Sequence, residues 1–222
     1  MLKRLLSFFI PVNIHKRESV ISKSLEVTWN NGKLVLDSKN TNYSFGSLQR
    51  ILRIGLNHIG FDNLRKMNHI LILGVAGGSV IRTLTHEIAY KGKITGVDID
   101  AEVIAVANEY FGLSTIPGVE IVIDDAFEFV LKTKGKYDLV VIDIFSDISM
   151  PNFLFESFFV NHISQILVPG GHILFNTMIL SAADEKRNQQ YIADIDRSRL
   201  QVRTIPRLEK HNELIVMTKK DA

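Results

Sequence analysis

The chain contains no cysteine, which excludes disulfides, zinc–thiolate sites and thiol nucleophiles together. It has little excess charge: 26 Lys and Arg against 24 Asp and Glu give a net +2, so no nucleic-acid partner is expected. No apolar run approaches the roughly 20 residues of a membrane helix, and no internal repeat or low-complexity tract is present. His15, His58, His69, His86, His162, His172 and His211 stand without ligand-like spacing, so no metal site is expected. What remains is an ordinary globular composition. The 222 residues, 46% apolar and 23% charged, suffice for one domain or one domain with a small appendage.

Met1 to Val12 begins with two basic residues and an apolar stretch, in the manner of a targeting segment. The stretch is short and no small-residue cleavage site follows, so it reads as a buried first strand or a partner-covered segment. The expectation is a soluble, cytoplasmic protein with no membrane contact.

The composition changes near residue 60, dividing an N-terminal hairpin-and-helix appendage (1–60) from a nucleotide-binding domain (61–222). Ile21 to Asp37 reads as two strands about Asn30-Asn31-Gly32, where Asn-Gly supplies the positive φ of a tight turn. Leu48, Ile51, Leu52, Leu56 and Ile59 then repeat at helical spacing. From residue 69, apolar runs at 69–75, 93–99, 119–124, 137–145 and 172–178 read as strands buried on both faces. Helical stretches at about 78–90, 101–110, 126–133, 153–168 and 184–197 separate or follow them, and Pro169-Gly170-Gly171 supplies a helix stop. Gln201 to Leu208 and Glu213 to Lys219 form an antiparallel pair, since a short polar turn joins them. The fold expected is α/β: a doubly wound, mostly parallel seven-stranded sheet of the methyltransferase type.

Three features lie at carboxyl ends of successive strands, where such sheets bind ligands. Strand 69–73 runs into Gly74-Val75-Ala76-Gly77-Gly78, which permits a tight turn and close backbone approach ahead of a helix N-terminus. Asp98, with Ile99 beside it, lies twenty residues beyond Gly78, the interval of a ribose-binding carboxylate. Capping of the next helix is the alternative for Asp98 and the preferred reading for Asp100. Asp125 suits the exocyclic amine of adenine, with the Ala126 N–H on a ring nitrogen; helix capping by Asp124 or Asp125 is the alternative. Together they point to an adenosine ligand.

Leu71-Ile-Leu-Gly-Val-Ala-Gly-Gly78, Val97-Asp-Ile-Asp-Ala-Glu-Val-Ile104, Asp125-Ala-Phe-Glu-Phe129 and Tyr137-Asp-Leu-Val-Val-Ile-Asp143 resemble spermidine synthase motifs. The resemblance covers about residues 25 to 180. It implies S-adenosylmethionine or its decarboxylated form, with the turn from Gly74 to Gly78 on the aminoalkyl side. Asp98 then serves ribose, Asp125 adenine, and Asp143 stands beside the reacting sulfonium. It also suggests a homodimer. Aminopropyltransferases of this family carry an acid, two small residues, a second acid and a Pro-x-Gly-Pro loop. Here Ile144 and Phe145 follow Asp143, the next acid is Asp147, and the loop keeps only Pro151. Ser44-Phe45-Gly46-Ser47 replaces a Ser-Tyr-Gln-Glu stretch.

An amine acceptor, with a pKa near ~10, must lose a proton before attack, and Asp143 with Asp147 are the candidate catalytic pair. Methyl transfer asks less of the protein, since alignment supplies much of the rate. Phe45, Phe145 and Phe153 are candidate walls for an apolar acceptor, whereas Phe155 reads as core. The expectation is therefore methyl transfer to a small-molecule acceptor, of which an amine is one candidate. Aminopropyl transfer and nucleotide binding without catalysis are the alternatives.

Overall fold

The computed structural model describes residues 1–38, 42–145 and 149–221. After a short helix α1 (Leu2–Leu6), the strands β1 (Val12–Ser19), β2 (Lys23–Asn30), β3 (Lys33–Ser38) and β4 (Asn42–Ser44) form one antiparallel sheet in sequence order. β2 and β3 are the expected hairpin. Asn30 pairs with Lys33 across Asn31 and Gly32, both at positive φ (49° and 73°), which matches the strand twist. β1 escapes a sequence reading because Lys16, Arg17 and Glu18 interrupt its alternation. Its cross-strand partner Glu26 instead pairs with Lys16.

The opening segment is not a buried strand. Leu2, Leu5, Leu6, Phe8, Phe9 and Ile10 are exposed, and the segment is anchored by polar bonds to the β2–β3 turn. Ser7 accepts the Asn31 N–H on its carbonyl and the Gly32 N–H on its hydroxyl, and Arg4 donates to the Gly32 carbonyl.

Helix α2 (Gly46–Ile59) buries Ile51, Leu52 and Leu56 in the core of the second sheet, where they join Leu174 and Leu214. That sheet follows α3 (Phe61–Lys66) and alternates strand and helix. Its elements are β5 (His69–Leu73), α4 (Ser79–Arg82), β6 (Lys93–Asp98), α5 (Ala101–Phe111), β7 (Val119–Ile123), α6 (Ala126–Lys132), β8 (Tyr137–Ile142), α7 (Ser157–Ile166), β9 (Leu167–Met178), α8 (Ala182–Asp194), β10 (Leu200–Leu208) and β11 (Asn212–Lys219). The order across the sheet is β10-β11-β9-β8-β5-β6-β7. β5 to β9 are parallel, and β11 runs antiparallel to β9 and β10. This is the expected α/β fold with a seven-stranded, mostly parallel sheet. Along β5, Ile70 and Ile72 enter one core and Leu71 and Leu73 the other, which is why the strand is apolar throughout.

Two helices differ from expectation. The stretch 78–90 is helical only as α4 followed by a wider turn, Thr83–Glu87. There the Thr83 and Thr85 hydroxyls bond the carbonyls four residues back, a competition that loosens a helix. The stretch 153–168 splits into a 3₁₀ turn, Asn152–Phe155, and α7, with extended backbone at Glu156 between them. β9 then begins at Leu167, so Pro169-Gly170-Gly171 lies in a strand irregularity, where the β8 register jumps between Tyr137 and Leu139. Among the described residues no helix is long and apolar enough to cross a membrane.

Candidate active site

β6 and β8 flank β5, so the chain leaves β5 towards one side and later returns on the other. A crevice forms at the carboxyl ends of the strands at such a switch point. A cavity of about 250 Å³ lies there. Gly74, Ala76, Asp98, Ile99, Asp125, Ala126 and Asp143, seven of the residues expected to bind the nucleotide, line it.

The glycine turn explains itself residue by residue. Gly74 has φ +87°, and a Cβ there would lie 2.1 Å from the Asp143 carbonyl oxygen. The approach is fixed by the Gly74 N–H on the Val97 carbonyl (2.9 Å) and the Asp143 N–H on the Leu73 carbonyl (2.8 Å). Gly77 and Gly78, also expected at the nucleotide, are not among the residues that line this cavity. Gly78 takes φ +78° at the N-cap of α4, and a Cβ on Gly77 would lie 2.8 Å from Ser44 Cβ. Both serve the turn and its packing.

Asp98 braces that turn. Its Oδ2 accepts the Val75 and Ala76 N–H groups at 3.0 and 2.9 Å, and its Oδ1 accepts the Asp100 N–H at 3.0 Å. Burial raises its proton affinity, and these donors oppose that rise. Asp100 caps α5 through the Glu102 and Val103 N–H groups, as expected. Its other oxygen accepts the Ser19 and Ser22 hydroxyls, each at 2.5 Å, which docks the β1–β2 turn and brings Ile21 and Ser22 to the cavity wall. Asp125 caps α6, its Oδ1 accepting the Phe127 and Glu128 N–H groups at 2.8 and 3.2 Å. The two readings of Asp125 are compatible, because the cap uses one oxygen and the residue still lines the cavity.

Asp143 leaves β8 at its carboxyl end and accepts an N–H from Asn176 Nδ2 at 2.9 Å. Burial pushes its carboxyl up to about 7, against the lowering effect of that bond. Asp147 lies outside the described residues. Leu48, Ile144, Phe145, Pro151 and Phe153 close the cavity with apolar surface. Phe45 instead stacks on Phe111, and Phe155 packs on Phe175 and Tyr191 beneath Arg187. Among the described residues, no group of three or more His, Asp or Glu could hold a metal ion.

Sequence reasoning missed Ser19, Ser22 and Asn176. The serines meet Asp100 across about 80 residues, a pairing no local motif announces. Asn176 did leave a signal: it interrupts the apolar run Ile173-Leu-Phe-Asn176, and a buried polar side chain requires a partner.

The sheet order and the strand-end crevice define a methyltransferase-like α/β protein. Within that class the chain belongs to the spermine/spermidine synthase family, whose domain model matches residues 51–221. It is 28% identical over 141 residues to the polyamine aminopropyltransferase of Buchnera aphidicola subsp. Schizaphis graminum, covering 61% of this chain and 49% of that one. The chain spans about half or less of the length of the curated relatives it matches. In fold it is similar to a spermidine synthase in complex with the transition-state analogue AdoDATO (TM-score 0.69, 19% identity, 94% of this chain and 74% of that one). It is also similar to human methyltransferase-like protein 13 in complex with SAH (TM-score 0.65, 20% identity, 80% and 83%).

Proposed function

We propose that this chain transfers an aminopropyl group from decarboxylated S-adenosylmethionine to a small amine. One observation carries the reading. Asp98, Asp100, Asp125 and Asp143 line the cavity, and no Lys, Arg or His is among its described lining residues. The decarboxylated donor brings a sulfonium and an ammonium and no carboxylate, so an anionic cavity favours it by charge. S-Adenosylmethionine would place its carboxylate there without a cationic side chain to meet it. The curated relatives named polyamine aminopropyltransferase support the same reading, and with it the methyl transfer expected from the altered 143–151 loop gives way to the aminopropyl alternative.

The donor supplies a carbon activated by its sulfonium. Asp98 would hold the ribose hydroxyls, and Asp125 the exocyclic amine of adenine with the oxygen its cap leaves open. Gly74 and Ala76 would border the aminopropyl chain. The acceptor arrives as an ammonium with a pKa near ~10. Asp143, with a pKa of about 7, accepts its proton at neutral pH. The freed lone pair forms the N–C bond as the C–S bond breaks, and its electron pair stays on sulfur. Methylthioadenosine leaves, and the proton on Asp143 passes to water. Asp147 is proposed as the second carboxylate, orienting the acceptor.

The test is incubation with decarboxylated S-adenosylmethionine and a panel of mono- and diamines, read as methylthioadenosine release. Release that depends on both the amine and Asp143 supports the reading. Release of S-adenosylhomocysteine from S-adenosylmethionine, with no methylthioadenosine from the decarboxylated donor, would restore methyl transfer.

A further inference from the structure

A chain of two buried amides stands behind Asp143. Asn176, on β9, is fully buried, and Asn212, at the start of β11, is nearly so. Asn176 Nδ2 donates to Asp143 Oδ1 at 2.9 Å, and Asn176 Oδ1 accepts from Asn212 Nδ2 at 3.0 Å. The antiparallel register pairs Asn176 with Leu214 and Asn212 with Met178, so the two asparagines sit diagonally on one face of the sheet. A carboxamide has a donor end and an acceptor end of nearly the same shape. A carboxylate selects the donor end, and a protonated acid accommodates the acceptor end. The orientation of Asn176 and the protonation of Asp143 are therefore coupled.

We propose that Asn212 is a positioning residue: by donating to Asn176 Oδ1 it fixes the donor end of Asn176 on Asp143 and holds Asp143 in its proton-accepting form. The mechanistic use of this relay rests on the proposed role of Asp143 as base; the coupling itself does not. Among the described residues, the titratable groups sharing the cavity with Asp143 are Asp98 and Asp100 from the end of β6 and Asp125 from the start of α6. Beside Asn212 stand His211, which is exposed, and Glu213, which accepts from Asn188. Glu209, in the β10–β11 turn, pairs with Arg50 of α2. The direction of the effect at Asp143 agrees, since the Asn176 bond opposes the rise that burial imposes.

The test is a pH titration of the Asp143 side-chain carboxyl by ¹³C NMR, assigned by its loss in Asp143→Asn, and it needs no turnover. Asn212→Asp offers Asn176 an acceptor in place of a donor and should turn the amide over. The Asp143 midpoint should then rise by about one pH unit or more, tenfold in proton affinity. Asn212→Leu frees the amide and should raise the midpoint by less, and Asn212→Ser, which keeps a donor, should bring it back towards wild type. If Asn212→Asp does not fold, Asn212→Leu decides. An unchanged midpoint in the folded variants overturns the proposal. The acid limb of the methylthioadenosine-release profile should move with the NMR midpoint. If the midpoint moves and that limb does not, the relay stands and Asp143 is not the base.

Discussion

Gly74 meets Asp143 backbone to backbone, with room for no side chain: a Cβ on Gly74 would lie 2.1 Å from the Asp143 carbonyl oxygen. The turn that borders the cavity and the residue proposed as its base therefore share one close contact between β5 and β8. Gly74→Ala must separate the two strand ends, and its φ of +87° is unfavourable for any side chain. The expected cost is about 2–4 kcal/mol, read by urea denaturation, with weakened donor binding. Wild-type stability in the alanine variant would contradict this account of the turn.

Asp98 is expected to be structural and ligand-binding at once. Asp98→Ala strands three backbone N–H donors that the carboxylate now satisfies and should cost about 2–3 kcal/mol. Asp98→Asn keeps one acceptor oxygen and should cost less. Calorimetry should show donor affinity at least tenfold weaker in both. Affinity retained in the asparagine variant would remove Asp98 from ribose binding.

The pH dependence of stability follows from Asp143. In the folded chain it keeps its proton up to about pH 7, whereas an unfolded aspartate loses it near ~3.9. Between those values the folded state binds more protons, so this group's contribution to stability falls as pH rises and levels off above 7. Asp143→Asn removes that slope. Relative to wild type the variant should be more stable at pH 8 than at pH 4, by up to about 4 kcal/mol. Parallel stability curves for the two proteins across this range would mean that the buried carboxyl carries no such penalty.

The serine pair on Asp100 ties the N-terminal sheet to the cavity. Ser19→Ala with Ser22→Ala leaves the α5 cap intact and removes both hydroxyl bonds to Asp100. The turn around Ile21 should then become a protease-sensitive point, and donor affinity should fall severalfold. Unaltered proteolysis and affinity would show that the turn is held by other contacts.

How far the chain could be read from sequence depended on the range of each interaction. Ile70 to Leu73 is apolar because both faces are covered, a property carried by consecutive residues, and the strand series was legible. Asp98, Asp125 and Asp143 were legible as strand ends and Asp125 as a helix cap, though not the bonds by which Asp98 holds the Val75 and Ala76 N–H groups of the glycine turn. β1 was not, because Lys16, Arg17 and Glu18 face solvent and ion-pair partners rather than core. Pro169-Gly170-Gly171 has the chemistry of a helix stop, but tertiary pairing with β8 places it inside a strand. The loop from Asp143 to Pro151 argued locally for methyl transfer. The charge of the assembled cavity, which needs four aspartates from three strand ends, argues for the decarboxylated donor.

Calorimetric titration of the purified chain with decarboxylated S-adenosylmethionine and S-adenosylmethionine side by side measures that preference. Binding should be at least about tenfold tighter for the decarboxylated form, about 1.4 kcal/mol. Tighter binding of the carboxylated form would contradict it.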